Sequence, residues 1–141
     1  MAAESRTTTF HINTLANSAT RSFFVTVPDA TRVLSMFAVS ESAIGAHATT
    51  VLKFEVIDGA TTIGRITNDS DETSVAATPG VVGINSAAYV AETTRDLSFE
   101  SATATGALPV AASGVLELIV SNDTGGAVTD TIYGIEWLVS K

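Results

Sequence analysis

TTVLKFEVIDGATTIGRITN, residues 49–68, is the stretch that decides the fold class. Leu52, Phe54 and Val56 fall on one face of an extended chain, and Lys53 and Glu55 on the other. Side chains alternate across a strand, so this pattern marks a strand with one face buried and one in water. Asp58-Gly59 is a turn dipeptide, and Ile63 to Thr67 returns as the partner strand. The stretch is predicted to be a β-hairpin.

The same period of two recurs outward from it. Thr7 to Asn13 sets Phe10 and Ile12 against Thr9, His11 and Asn13. Arg21 to Val27 (RSFFVTV) is a second strand, stopped by Pro28-Asp29, and Arg32 to Ser40 a third, with Met36, Phe37 and Val39. Beyond the hairpin, Arg95 to Ser101 carries Leu97 and Phe99, and Gly114 to Asn122 sets Leu116, Leu118 and Val120 against Glu117 and Ile119. The turn Asp123-Thr124-Gly125-Gly126 leads to Thr129 to Ser140, with Tyr133, Ile135, Trp137 and Val139 on one face. Residues 68–93 have no such period: polar NDSDETS precedes ATPGVVGINSAAYVAE, which carries Pro79, Gly80 and Gly83. A long apolar connection of this kind is expected to pack against something, and Ala87 to Glu92 reads as one helical turn. About seven to nine strands and no sustained helical period predict an all-β chain. The architecture is a single β-sandwich of jelly-roll or immunoglobulin-like type, because periodicity does not carry pairing order. Residues 1–6 read as a flexible N-terminal arm and 7–141 as the sandwich domain.

Composition leaves little to run a reaction with. The 141 residues include no cysteine, two histidines, and seven Lys plus Arg. Aromatics are 6% of a chain that is 45% hydrophobic, so the core is expected to be mostly Val, Leu, Ile and Ala. Small side chains carry less transfer free energy each, which makes added stabilisation from oligomer contacts reasonable. The net charge is −8, and Arg6, Arg21, Arg32, Lys53, Arg65, Arg95 and Lys141 are scattered. A nucleic-acid phosphate backbone or an anionic membrane needs clustered cations, so neither is an expected partner. Met1-Ala2-Ala3-Glu4-Ser5 has no signal-peptide pattern, and no apolar run reaches the ~20 residues of a membrane span. The expectation is a protein made in a cytoplasm and not secreted. Without cysteine, disulfides play no part.

Nucleophilic catalysis needs a base beside the nucleophile. His11 sits on the polar side of the first strand, His47 lies in a small-residue loop, and no G-x-S-x-G elbow occurs. No catalytic residue is expected, and no cofactor. Asp69, Asp71 and Glu72, in Asn68-Asp69-Ser70-Asp71-Glu72, place oxygen ligands close together as a calcium loop would. Their spacing is not that of an EF-hand, and a solvated acidic turn is the preferred reading. Glu55, Glu100, Glu117 and Glu136 suit the polar face of a sheet better than a glycosidase pair. Trp137 and Tyr133 share a face with Ile135 and Val139, so they read as core; exposed, they would make a sugar-stacking platform. The arm Ala2 to Thr9 could add a strand to a neighbour's edge, and Val81 to Val90 could pack between subunits or over the chain's own core.

Short, acidic, cysteine-free, rich in Ala, Thr and Gly, all-β, with a polar stretch ahead of Thr7-Thr8-Thr9-Phe10, the chain resembles the small capsid decoration (cement) proteins of tailed bacteriophages. The resemblance covers the whole chain and rests on composition and layout. It implies a virion protein, assembled without secretion, that sits on the outside of an icosahedral shell, often as a homotrimer, and bridges copies of the major capsid protein. It makes Arg6, Thr7, Thr8, Thr9 and Phe10 candidates for shell contact, and Val81, Val82, Ile84 and Tyr89 candidates for subunit contact. The alternative from another class is a carbohydrate- or ligand-binding β-sandwich module of a tail or surface appendage.

Overall fold

A computed structural model describes residues 4–27, 31–77, 81–99, 108–109 and 114–139. The Pro28-Asp29 turn, Pro79-Gly80, Glu100 and the loop that follows it lie outside these, as do the first three residues of the proposed arm.

The expected all-β sandwich is present. Its strands are β1 (Glu4–Leu15), β2 (Ala19–Thr26), β3 (Thr31–Ser40), β4 (Leu52–Asp58), β5 (Thr61–Thr67), β6 (Gly83–Ser86), β7 (Arg95–Ser98), β8 (Leu108–Pro109), β9 (Val115–Asn122) and β10 (Val128–Val139). One sheet runs β1-β10-β3-β7, with β8 also on β3, and the other runs β2-β9-β4-β5-β6. The β4–β5 hairpin is the one read from residues 49–68. Asp58 pairs with Thr61, and Gly59 takes a φ of +64° at the turn, a backbone that a side chain would strain.

Pairing is nested: β1 lies on β10, β2 on β9, β3 on β7 and β8, and β4 on β5, all antiparallel. Consecutive strands β1 and β2 therefore belong to opposite sheets. Only the short β6 runs parallel to its neighbour β5 among the described strands. Alternation sets the layers. Leu52, Phe54 and Val56 from one sheet face Tyr133, Ile135 and Trp137 from the other, all buried. The Phe54 and Tyr133 rings meet between the sheets at 5.1 Å, tilted by 58°. Such a contact adds to the area that both rings remove from water.

Two expectations are corrected here. Residues 4–6 are not an arm: Glu4, Ser5 and Arg6 pair with Val139, Leu138 and Trp137 of β10. The long β10 offers a partner backbone over its whole length, and a polar edge strand shows no apolar markers to reveal itself. Ala87 to Glu92 is not a helical turn either. Tyr89 makes an antiparallel bridge with Ile44, exchanging both backbone hydrogen bonds at 2.9 Å.

Candidate functional site

Three polar side chains buried in this sandwich, Asn68, Asn122 and Arg95, are spent largely on its own backbone. Asn68 accepts from the Leu52 amide at 2.7 Å through Oδ1, and its Nδ2 donates to the carbonyls of Gly45 (2.8 Å) and Thr50 (3.2 Å). Asn122 donates to the carbonyls of Leu15 (2.9 Å) and Gly126 (2.8 Å) and accepts from the Thr124 amide (3.0 Å). Arg95 donates to the backbone oxygens of Thr67 (2.9 Å), Ala87 (2.7 Å) and Asn85 (2.7 Å) and to the Asn85 side-chain oxygen (2.6 Å). Its guanidinium carbon lies 4.7 Å from the Tyr89 ring centroid. Burial pulls this guanidinium below its ordinary value, while carbonyl dipoles and the ring face stand in for a counter-ion. Each of these side chains fixes a loop, which gives the irregular connections defined shapes.

The acidic turn is built the same way. Asp69 accepts from the Asp71 amide at 2.9 Å, and its carbonyl accepts from the Ser86 hydroxyl. Glu72 points to Arg65 (2.5 Å), which also grips Glu55 at 2.8 and 3.0 Å. Partial burial works against the Arg65 charge and is outweighed by Glu55 and Glu72, so its pKa is raised. The Asp69 carboxylate is thus taken up by the Asp71 amide and that of Glu72 by Arg65. Among the described residues no group of three or more His, Asp or Glu is arranged to hold a metal ion.

A second carboxylate group brings Glu41, Glu92 and Asp130 together, with His11 Nε2 3.5 Å from Asp130 Oδ1. Glu41 is pushed above the usual carboxylate range, first by a hydrogen bond with Asp130, then by the Asp130 charge, by partial loss of hydration and by Glu92. A raised acid pKa means that the folded state favours the proton. The stabilisation is complete below the ordinary Glu value and is lost as pH rises through the raised one. At neutral pH the carboxylates repel one another. Glu41→Gln is expected to raise the melting temperature at pH 7 and to flatten its fall between pH 4 and 7. Thermal melts across that range check it.

The expected core aromatics are core. Tyr133 is 1% exposed and Trp137 6%, so neither offers a sugar platform. Tyr89 is also buried, and its hydroxyl donates to the carbonyls of Leu52 and Ile66 at 3.3 Å. Tyr89 is thus removed from the subunit-contact candidates: the connection packs it inward to close the core. Val81 is exposed, and Val82 and Ile84 are half-buried. Burial raises both phenols, Tyr133 to about 12. The Tyr133 hydroxyl lies beside Thr131 but makes no hydrogen bond of ordinary geometry among the described residues, so Tyr133→Phe is expected to change stability by less than about 1 kcal/mol. Tyr89→Phe removes the hydroxyl from both carbonyls and should cost about 1–2 kcal/mol, read from urea denaturation midpoints.

The shell-contact candidates all lie on β1, at the edge of its sheet. Thr7 and Thr9 face water. Arg6 sits 5.7 Å from the Trp137 ring centroid, Thr8 Oγ1 accepts from Trp137 Nε1 at 3.3 Å, and Phe10 stacks on Phe23 of β2 at 4.3 Å. Deleting residues 1–9 would therefore strip half of an integral strand and uncover Trp137, instead of trimming a dispensable arm. Beside β1 lies β2, the edge of the second sheet, with Phe24 68% exposed. In RSFFVTV the two Phe are alike to composition. Register separates them: Phe23 pairs with the buried Leu118, Phe24 with Glu117. Residues 5–28 carry Arg6 and Arg21 and no Asp or Glu, in a chain of net charge −8. Apart from Glu4 at the start of β1, the two edge strands thus carry no negative side chain.

No family model matches this sequence. No curated protein matches it. Among solved structures, the chain is similar to the "Cyanophage Pam1 capsid asymmetric unit", at 13% sequence identity and a TM-score of 0.43, over 98% of this chain and 85% of that one. No helix among the described residues is long and apolar enough to cross a membrane.

Proposed function

We propose that this chain is a structural virion protein, a capsid decoration protein that binds the outside of an icosahedral shell and stabilises it without catalysis. The observation that carries this reading is the nested pairing of β1 with β10, β2 with β9, β3 with β7 and β4 with β5. We read that order as a jelly roll, an architecture that recurs in viral capsid and lectin domains. The immunoglobulin-like alternative is set aside because β1 and β2 occupy opposite sheets with β10 and β9 as their partners. Buried Asn68, Arg95 and Asn122, each tied to backbone, favour a rigid part over a chemical one. The sugar-binding alternative wanted Trp137 or Tyr133 in water, and both are in the core.

On this reading the partner is the major capsid protein, and the protein acts as a homotrimer with exposed Val81 among its subunit contacts. Several modest contacts per oligomer then add through multivalency. The test adds purified protein to shell particles prepared without it. Saturable binding at a fixed ratio to the major shell protein, with a higher temperature of particle rupture, is the expected result. Particles that neither retain the protein nor gain heat resistance would overturn the reading.

A further inference from the structure

Four strand edges close this sandwich, and they are treated differently. The β6 edge is covered: Val75 and Ile84 exchange backbone hydrogen bonds at 2.8 Å, and the Ser86 amide donates to Ser74 Oγ at 3.0 Å. At β7, the Asn85 side chain reaches over and donates through Nδ2 to the Asp96 carbonyl at 2.7 Å. On β2, no backbone hydrogen bond joins residues 20–26 to anything but β9 among the described residues. Proteins usually blunt such an edge with Lys, Pro or a bulge. This one has neither Lys nor Pro, and its pairing with β9 runs from Ala19 to Thr26 without a register shift.

Two side chains on β2 lack what their chemistry calls for. Phe24 stands on the outer face and is the most exposed of the large hydrophobic residues. Arg21 pairs with the buried Val120, so it shares the inward face, yet it is exposed and forms no ion pair with a carboxylate among the described residues. An inward charge on an edge strand deters neutral or basic strands, which would bury it unpaired. It admits a strand that brings a carboxylate. The β1 edge differs: its Arg6 already lies against Trp137, and its outward Ser5, Thr7 and Thr9 offer no apolar anchor.

We propose that the β2 edge is a docking site for an extended acidic segment of a partner protein, which adds a strand beside Arg21 to Thr26. Its recognition element is an apolar residue and an Asp or Glu three positions apart. That spacing puts them on opposite faces of the added strand, one beside Phe24 and the other beside Arg21. Backbone hydrogen bonds supply affinity and these two side chains the selectivity. The shell-binding reading is used only for which protein donates the strand.

The probe is a short peptide alternating Thr and Val with one Glu three positions from a Val, and the same peptide with Lys in place of Glu. Hydrogen exchange of the full chain is expected to show protection of residues 20–26 by the first, with the second needing about tenfold more peptide. Arg21→Glu is expected to invert that preference, and Phe24→Thr to weaken both peptides about fivefold. Both positions are exposed, so the variants should melt like the parent. Equal protection by the two peptides, protection of β1 instead, or none would overturn the proposal. If the peptides bind as expected while shell particles do not retain the protein, the edge stands and the virion reading falls. Retention of Phe24→Thr by particles at parental strength would remove the shell as the strand donor.

Discussion

Arg95→Leu is expected to lower stability by about 3 kcal/mol. The guanidinium holds the carbonyls of Thr67, Ala87 and Asn85 and the Asn85 side chain, and it packs against the Tyr89 ring. A leucine would fill part of the volume but take this donor from the Ala87 and Asn85 oxygens, leaving the Thr67 carbonyl with only the Ala87 amide. For a domain of this size the melting temperature should fall by about 10 °C. The damage should be local as well. Hydrogen exchange of residues 83–92 is expected to rise well beyond what global unfolding explains, because Arg95 ties that connection to β5. Arg95→Lys should recover only part of the loss, since one ammonium cannot span a planar four-acceptor set. A leucine variant as stable as the parent would mean that the connection is held by its apolar contacts alone.

The second large effect belongs to Gly134, in the middle of β10 between β1 and β3. A Cβ at this position would lie 2.6 Å from the Thr8 carbonyl oxygen and 2.3 Å from Cζ of Phe37. The Phe37 ring can swing aside, but the Thr8 backbone can yield only if β1 moves off β10. Gly134→Val is therefore expected to cost about 3 kcal/mol through overpacking. Amides of β1 should exchange faster than those of β4 and β9. Uniform exchange across both sheets would contradict this local account of the strain.

How far the sequence foretold this molecule depended on whether a residue's surroundings were local. Leu52, Phe54 and Val56 announce a buried face because Lys53 and Glu55 interleave them, and the Asp58-Gly59 turn fixes their partner. Trp137 and Tyr133 were legible as core for the same reason. Residues 4–6 were not, because an edge strand with little apolar content has no alternation to show. Gly83–Ser86 is too short for a period of two to register, and its parallel partner β5 lies many residues away. Tyr89 stayed open between a subunit contact and the chain's own core because apolar residues without a period do not say which way they point. Nothing local marks Asn68, Arg95 and Asn122 as buried, since what buries them is brought in from distant strands. Phe24 became distinct from Phe23 only through its register with β9, and with it the open edge came into view.

The most direct measurement is gradient sedimentation of a lysate from the source culture, with this protein and a major shell protein followed by peptide mass spectrometry. A structural virion protein is expected in the particle fraction, at a high and fixed ratio to the shell protein. Recovery solely in the soluble fraction, with particles present and free of it, would contradict the virion role.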